Sequence, residues 1–280
     1  MKVHLKIWRQ ENSSARGYFE EHFLDDINED MSFLEMLDVL NERLTLEEKP
    51  TISFSHDCRE GICGSCGVVI NGHAHGPLKG VTTCQIHMRH LKKFKTLVIE
   101  PWRVKAFPVI KDLVVDRSAF DRILQAGGYI SVNTGGVPDA NAIAISKFES
   151  DEAFMAASCI GCGACAAVCP NSSALLFTAA KISHLAQLPQ GKIEAHHRVL
   201  EMVRALDKEG FGACSSSRAC EIECPKGLSL KHVAQLNREF FKASLVAHLV
   251  EHPTMAYHGK GDDDLHSHVD EGSHIHHEEK

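Results

Sequence analysis

Eleven cysteines fall into groups whose spacing is that of ligands rather than of a disulfide framework. Cys58, Cys63 and Cys66 stand at C-x4-C-x2-C in Cys-Arg-Glu-Gly-Ile-Cys-Gly-Ser-Cys, and Cys84 follows after seventeen residues. A tight loop offering three thiolates, closed by a later fourth, suits a [2Fe–2S] cluster. Gly61, Gly64 and Gly67 let the backbone fold around an anionic core and aim amides at its sulfurs. Arg59 is placed to offset negative charge there, or is simply an exposed arginine. Structural zinc normally uses paired C-x2-4-C knuckles, so the three-plus-one pattern favours iron–sulfur over a four-cysteine zinc site. His73 and His75, before Cys84, read as a hairpin tip rather than a ligand pair.

The second group, Cys159-Ile-Gly-Cys162-Gly-Ala-Cys165-Ala-Ala-Val-Cys169-Pro170, is C-x2-C-x2-C-x3-C-P, a run whose fourth cysteine serves the other cluster of a pair. The partner group is Cys214-Ser-Ser-Ser217-Arg-Ala-Cys220-Glu-Ile-Glu-Cys224-Pro225, in which Ser217 replaces the thiol matching Cys162. Swapping the last cysteines gives Cys159, Cys162, Cys165 and Cys224 as a four-thiolate [4Fe–4S] site, and Cys169, Cys214 and Cys220 as a three-thiolate site. A cuboidal cluster with no ligand for its fourth iron tends to lose it, so [3Fe–4S] is favoured over a serine-ligated [4Fe–4S], a hydroxyl being a poor ligand at neutral pH. All eleven thiols are then used. None is left as a nucleophile, and no catalytic residue is assigned. The Gly161-x-Gly163-x-x-Ala166 match is no dinucleotide fingerprint, because cysteines fill it and no strand precedes it.

The elements that position these groups divide in two. Val3, Leu5 and Ile7 alternate with polar residues as a strand. Ser32 and Glu35 form a capping-box pattern before Phe33, Leu37, Leu40 and Leu44 on one helical face. Val68–Ile70 running into Asn71-Gly72, and Thr96–Glu100 ended by Pro101, are further strands. Residues 1–105 therefore form a small α+β domain. The stretch 101–108 reads as a connection, after which strand signals nearly vanish. Val114–Gln125, Asp151–Ala157, Ala174–Leu188, Ile193–Leu206 and Leu230–Leu249 read as helices, with a break at Leu188-Pro189-Gln190-Gly191 and a loop flanked by Gly127-Gly128 and Gly135-Gly136. Residues 106–250 are thus a helical domain, and 251–280 an acidic, His-rich tail expected to be disordered. Its six scattered histidines from His258 on could bind a metal only loosely.

Composition excludes some classes. The chain has 280 residues and net charge −7, of which the segment 249–280 carries −6, leaving no electrostatic footprint for nucleic acid. The first residues show no apolar secretory region and no Arg/Ser-rich transit pattern, which predicts a reducing compartment and a prokaryotic or mature chain. Phe154–Ala180 is free of charge and long enough to span a bilayer. Four thiols and a proline in its middle point instead to burial in protein around a cluster, so no transmembrane segment is expected.

A [2Fe–2S] domain followed by a helical [4Fe–4S]/[3Fe–4S] domain resembles the iron–sulfur subunit of succinate dehydrogenase or fumarate reductase, the succinate:quinone oxidoreductases. The resemblance spans about residues 1–245. It is carried by the cysteine runs at 58–66 and 159–170, by Phe107-Pro-Val-Ile-Lys-Asp-Leu-Val-Val-Asp116, and by Cys220-x3-Cys224-Pro225. It implies a β-grasp N-terminal domain and an α-helical ferredoxin C-terminal domain. It also implies a FAD-containing flavoprotein partner at the Cys58, Cys63, Cys66 and Cys84 end, and a membrane anchor with quinone at the Cys169, Cys214 and Cys220 end. The Cys66–Cys84 segment is longer than the common pattern. Asn171 onward and Ser215 lack the tryptophan and histidine that line the quinone site in many members, so those contacts do not transfer. The pattern looks more like the branch with a single cytochrome b anchor carrying haem b, leaning toward menaquinone, with the subunit peripheral on the cytoplasmic face of a prokaryotic inner membrane. The rival readings are the iron–sulfur subunit of a thiol-linked fumarate reductase or glycolate-oxidase-like complex, and a stand-alone ferredoxin-like carrier. Ser217 and the exhausted cysteine count argue against the former, the two-domain length against the latter.

Overall fold

The structure is a computed structural model that describes residues 1–131, 139–142 and 145–249. The tail at 251–280 and the Gly135-Gly136 loop lie outside the described residues. Val3–Arg9 (β1) forms the strand expected from its alternation, with Val3, Leu5 and Ile7 buried. It pairs antiparallel with Tyr18–Leu24 (β2) and parallel with Thr96–Glu100 (β5). Between them in sequence come the helix Phe33–Leu46 (α1), the short strands Val69–Ile70 (β3) and His73–Ala74 (β4), and the helical turn Met88–Leu91 (α2). The sheet order is β2-β1-β5-β3-β4. The apolar face of α1, with Phe33, Leu37, Leu40 and Leu44, shares one core with Leu5, Ile7, Ile70, Leu97 and Ile99. The Ser32–Glu35 capping box starts this helix as read, with Glu35 N donating to Ser32 Oγ at 3.2 Å. Asn71 and Gly72 both take left-handed backbone (φ 50° and 83°), the tight turn that folds β4 back on β3.

Strand β2 escaped the sequence reading because it lies at the sheet edge. Its apolar residues do not alternate, and Tyr18 and Phe23 stay 59% and 64% exposed. A second departure follows the connection. Val114 and Val115 do not begin a helix. Val109–Lys111 (β6) and Val114–Val115 (β7) form a hairpin, and the helix Ser118–Gln125 (α3) starts three residues later. The turn is made by Asp112, which is buried at φ 48° and accepts from the amides of Gln10 (3.1 Å) and Ser53 (3.0 Å). Arg9 pairs with the same carboxylate at 3.3 Å. The hairpin is therefore tied back into the N-terminal core, where Leu113 is buried. In the other direction, Trp102, Val104 and Phe107 of the connection are buried in the helical core.

The helical half comprises Lys147–Ala157 (α4), Ala164–Val168 (α5), Leu175–Gln187 (α6), Ala195–Lys208 (α7), Ala219–Ile222 (α8) and Lys231–Leu249 (α9). Helix α4 begins four residues before the expected Asp151, because Ser146 and Glu149 form a second capping box. Helix α6 is buried nearly all round and packs against α4, α7 and α9. The uncharged stretch 154–180 is thus divided among α4, α5 and α6, and no helix among the described residues is long and apolar enough to cross a membrane. Arg198, 1% exposed, donates to the carbonyls of Gly127 (2.8 Å), Gly191 (2.7 Å) and Tyr129 (2.9 Å). It holds the 127–131 loop and the 189–191 turn onto α7.

Candidate metal centres

The first cysteine loop is wound by left-handed backbone at Arg59 (φ 53°), Gly61 (74°) and Gly64 (73°). Its amides turn inward. Glu60 N and Ile62 N donate to Cys58 Sγ at 3.3 and 3.5 Å, and Ser65 N donates to Cys63 Sγ at 3.5 Å. Cys84 is brought to the same place by a 3-10 turn at Thr83–Gln85, with the Thr82 hydroxyl 3.2 Å from its sulfur. Cys66 and Cys84 are buried side by side, while Cys58 and Cys63 are partly exposed. Arg59 pairs with Asp38 at 2.9 Å, so its charge is spent there, while its carbonyl accepts from Gln85 Nε2 at 2.7 Å and ties the loop to the Cys84 turn. The glycine the loop needs most is Gly64. A Cβ there would lie 2.5 Å from Ile160 O and 3.0 Å from Cys162 Cα.

In the helical half, Cys159, Cys162, Cys165 and Cys224 line one cavity with Phe120, Leu176, Phe177 and Leu228. Gly161 (φ 60°) and Gly163 (91°) turn the chain so that its first two cysteines face this space, and Leu228 N donates to Cys224 Sγ at 3.5 Å. Cys220 lies within electrostatic reach of Cys169 and Cys214. Cys214 is exposed on a loop turned by Ser216 (φ 55°) and Arg218 (φ 63°), and Ser217 on the same loop is exposed.

The donor sets fit iron–sulfur groups. Four soft thiolates around a mostly apolar cavity, with backbone N–H groups aimed at sulfur, stabilise an anionic core rather than a bare cation. Among the described residues, no three His, Cys, Asp or Glu side chains converge tightly enough to share a single ion. The thiols surround a volume. Burial pushes the Cys66 and Cys162 thiols up to about 12, whereas the Glu60 and Ile62 amides hold Cys58 down to about 6. In the iron-free chain, Cys58 is therefore expected to react first with iodoacetamide, its rate levelling off above roughly pH 7 as the thiolate saturates. Cys66 and Cys162 should react far more slowly than Cys58 and still accelerate with every further unit of pH. Site-resolved mass spectrometry measures this, and equal rates at all three would contradict the arrangement.

The two centres touch. Besides the Gly64 contact, Arg117 Nη1 donates to Gly64 O (2.9 Å) and to Gly161 O (2.8 Å), one nitrogen joining both cysteine loops. Trp102 Nε1 donates to Cys162 O at 2.9 Å. Its ring meets His75 edge-on at 5.3 Å. His75 is 1% exposed, and its Nδ1 accepts from Thr83 N at 3.3 Å, next to Cys84. Burial first, then the Arg117 charge, holds His75 down to about 4, so it is neutral. His73 instead is exposed and pairs with Glu223 at 3.1 Å. The hairpin tip is Asn71-Gly72, just before both histidines. Arg117, Trp102 and the role of His75 escaped the sequence reading. No spacing rule marks residues that act across tens of positions.

Comparison with known proteins agrees with this geometry. A family described as 2Fe-2S iron-sulfur cluster binding domain matches residues 4–122, and one described as 4Fe-4S dicluster domain matches residues 155–228. The succinate dehydrogenase iron-sulfur subunit of Bacillus subtilis is 25% identical over 246 residues, 83% of this chain and 90% of that protein. The fumarate reductase iron-sulfur subunit of Wolinella succinogenes is 27% identical over 248 residues, 84% of this chain and 95% of that one. A chain of the Mycobacterium smegmatis Sdh1 complex in the apo form shares the fold, with TM-score 0.56 and 17% identity over 86% of this chain and 97% of its own. With a 2Fe-2S domain and a 4Fe-4S dicluster domain matched in that order, the chain is similar over more than four fifths of its length to the iron–sulfur subunits of succinate dehydrogenase and fumarate reductase.

Proposed function

We propose that the chain is the electron-transfer subunit of a succinate dehydrogenase or fumarate reductase, passing electrons between a flavoprotein and membrane quinone. The observation that carries this reading is the backbone contact of the two cysteine loops at Gly64 and Ile160, with Arg117 bonded to both. When bound, the clusters supply the one-electron chemistry. The protein supplies ligands, spacing and shielding. Cys58, Cys63, Cys66 and Cys84 hold the [2Fe–2S] group. Cys159, Cys162, Cys165 and Cys224 hold the [4Fe–4S] group, a set supported by their shared cavity. Cys169, Cys214 and Cys220 hold the [3Fe–4S] group, supported by the nearness of Cys169 and Cys214 to Cys220, on which their charges act.

Exposure differs along the three sites. Cys162 is buried at the middle site, whereas Ile62 beside Cys63 of the first loop and Cys214 of the third site are exposed. The exposed residues at the first loop and at Cys214 leave room for partners to approach. The partners are a FAD-containing flavoprotein at the first loop and a membrane anchor at the third site. We assign the anchor as a cytochrome b chain with haem b and the quinone as menaquinone, with this subunit peripheral on the cytoplasmic face of a prokaryotic inner membrane. Two haem b per anchor in the purified complex supports that branch, and a haem-free two-chain anchor contradicts it.

Low-temperature EPR on the anaerobically purified complex tests the function. The expected result is an oxidised-state [3Fe–4S] signal that disappears on adding succinate while a reduced [2Fe–2S] signal grows. Two reduced [4Fe–4S] centres indifferent to succinate, without a [3Fe–4S] signal, would overturn it.

A further inference from the structure

We infer that Arg117 is a positioning residue shared by the first two cluster sites, holding their separation through two carbonyl bonds and raising both reduction potentials through its charge. The inference rests on the ligand grouping proposed above. Arg117 follows β7 and precedes α3, so the connection between the two halves delivers it to their seam. One nitrogen, Nη1, reaches Gly64 O at 2.9 Å and Gly161 O at 2.8 Å. Each acceptor lies within the three-cysteine run of a different site. Both are backbone carbonyls, so the bonds leave the guanidinium charge uncompensated.

No carboxylate among the described residues lies within ion-pair distance of Arg117. Its neighbour Asp116 instead accepts from Ser118 N at 2.8 Å. The guanidinium lines a cleft of about 370 Å³ whose wall includes Cys63 of the first site and Cys159 of the second. Lys181 lines the same cleft, and its charge acts on Cys159. Asp121 also lines it without pairing with Arg117. The Arg117 charge is felt at Cys162. A half-buried cation between two four-thiolate sites is screened little by solvent. It favours whichever redox state carries more negative charge, and that is the reduced state at both sites. No cysteine of the third site lines this cleft, so that site should feel the charge least.

Arg117→Gln and Arg117→Lys in the purified complex separate the charge from the link. The readouts are iron content and an EPR-monitored redox titration of all three clusters. In Arg117→Gln, iron content should hold while the [2Fe–2S] and [4Fe–4S] equilibria each shift about tenfold toward the oxidised state, 59 mV for one electron, with [3Fe–4S] unmoved. Arg117→Lys should keep near-native potentials. Unmoved potentials in Arg117→Gln at full iron content, or equal shifts at all three sites, would overturn the inference. If Arg117→Gln fails to hold iron, the lysine variant decides. Native potentials there support the role of the charge, and potentials lowered at full iron content refute it. A wild-type complex without [2Fe–2S] and [4Fe–4S] signals would be a different failure, that of the ligand grouping.

Discussion

Cys162→Ala should abolish electron flow from succinate to quinone and deplete the complex of its [4Fe–4S] signal. Cys162 is buried, its carbonyl accepts from Trp102, and its Cα packs under Gly64. It therefore sits where ligand set, connection and first loop meet. Loss of an outer-shell partner of a metal site typically costs 10–100-fold, and loss of a ligand in a closed four-thiolate cage should exceed that. Assembly should suffer as well, because cluster binding contributes folding free energy. Iron content per complex and quinone reduction are the measurements. Unchanged quinone reduction would sink the assignment of Cys162 to the middle site. Succinate oxidation measured with an artificial acceptor should survive wherever the complex assembles, because no dicarboxylate chemistry is placed on this chain.

The second large effect concerns distance rather than ligation. Gly64→Ala should slow transfer between the first and second sites by more than tenfold while leaving all eleven thiols in place. Gly64 lies at φ 73°, and the new Cβ would meet Ile160 O at 2.5 Å. A left-handed alanine costs about 1–2 kcal/mol, and forcing two backbones apart adds about 1–3 kcal/mol. The obstacle is main chain and cannot swing aside, so the loops must separate. Gly80→Ala is the control. Gly80 has nearly the same backbone (φ 72°) but open space around its missing Cβ. It should lose the conformational part of the stability and none of the transfer rate. Thermal unfolding together with the rate of [4Fe–4S] reduction after rapid mixing with succinate separates the two terms. Equal rates in both variants would show that the contact does not set the distance.

Much of the site was legible in the chain because its determinants are local. Three thiolates of the first site lie within nine residues, and three of the second within seven. A loop that must wrap a cluster needs its glycines at set offsets, and Gly61, Gly64, Gly161 and Gly163 do take positive φ. The capping box at Ser32, the strand β1 and the long helices α6, α7 and α9 were legible for the same reason, since their patterns repeat within one or two turns. What failed was either marginal or non-local. Strand β2 is an edge strand whose exposed aromatics break the alternation, and Val114-Val115 was drawn into a hairpin by the buried Asp112 turn.

The chain by itself offered eleven thiols in ligand spacing, the number of clusters they suit, and a sheet domain preceding a helical one. Only the tertiary structure decided how the two halves meet. The contact of Gly64 with Ile160 spans 96 positions, and Arg117 reaches back to Gly64 and forward to Gly161. Trp102, in what read as a plain connection, is buried against the second cysteine run, and His75, in what read as a hairpin tip, is buried against Trp102. Ligand spacing follows from the reach of a few backbone bonds and is written in neighbouring residues. The separation of two centres depends on packing between surfaces, to which each residue contributes one atom or one missing Cβ, so no local pattern records it.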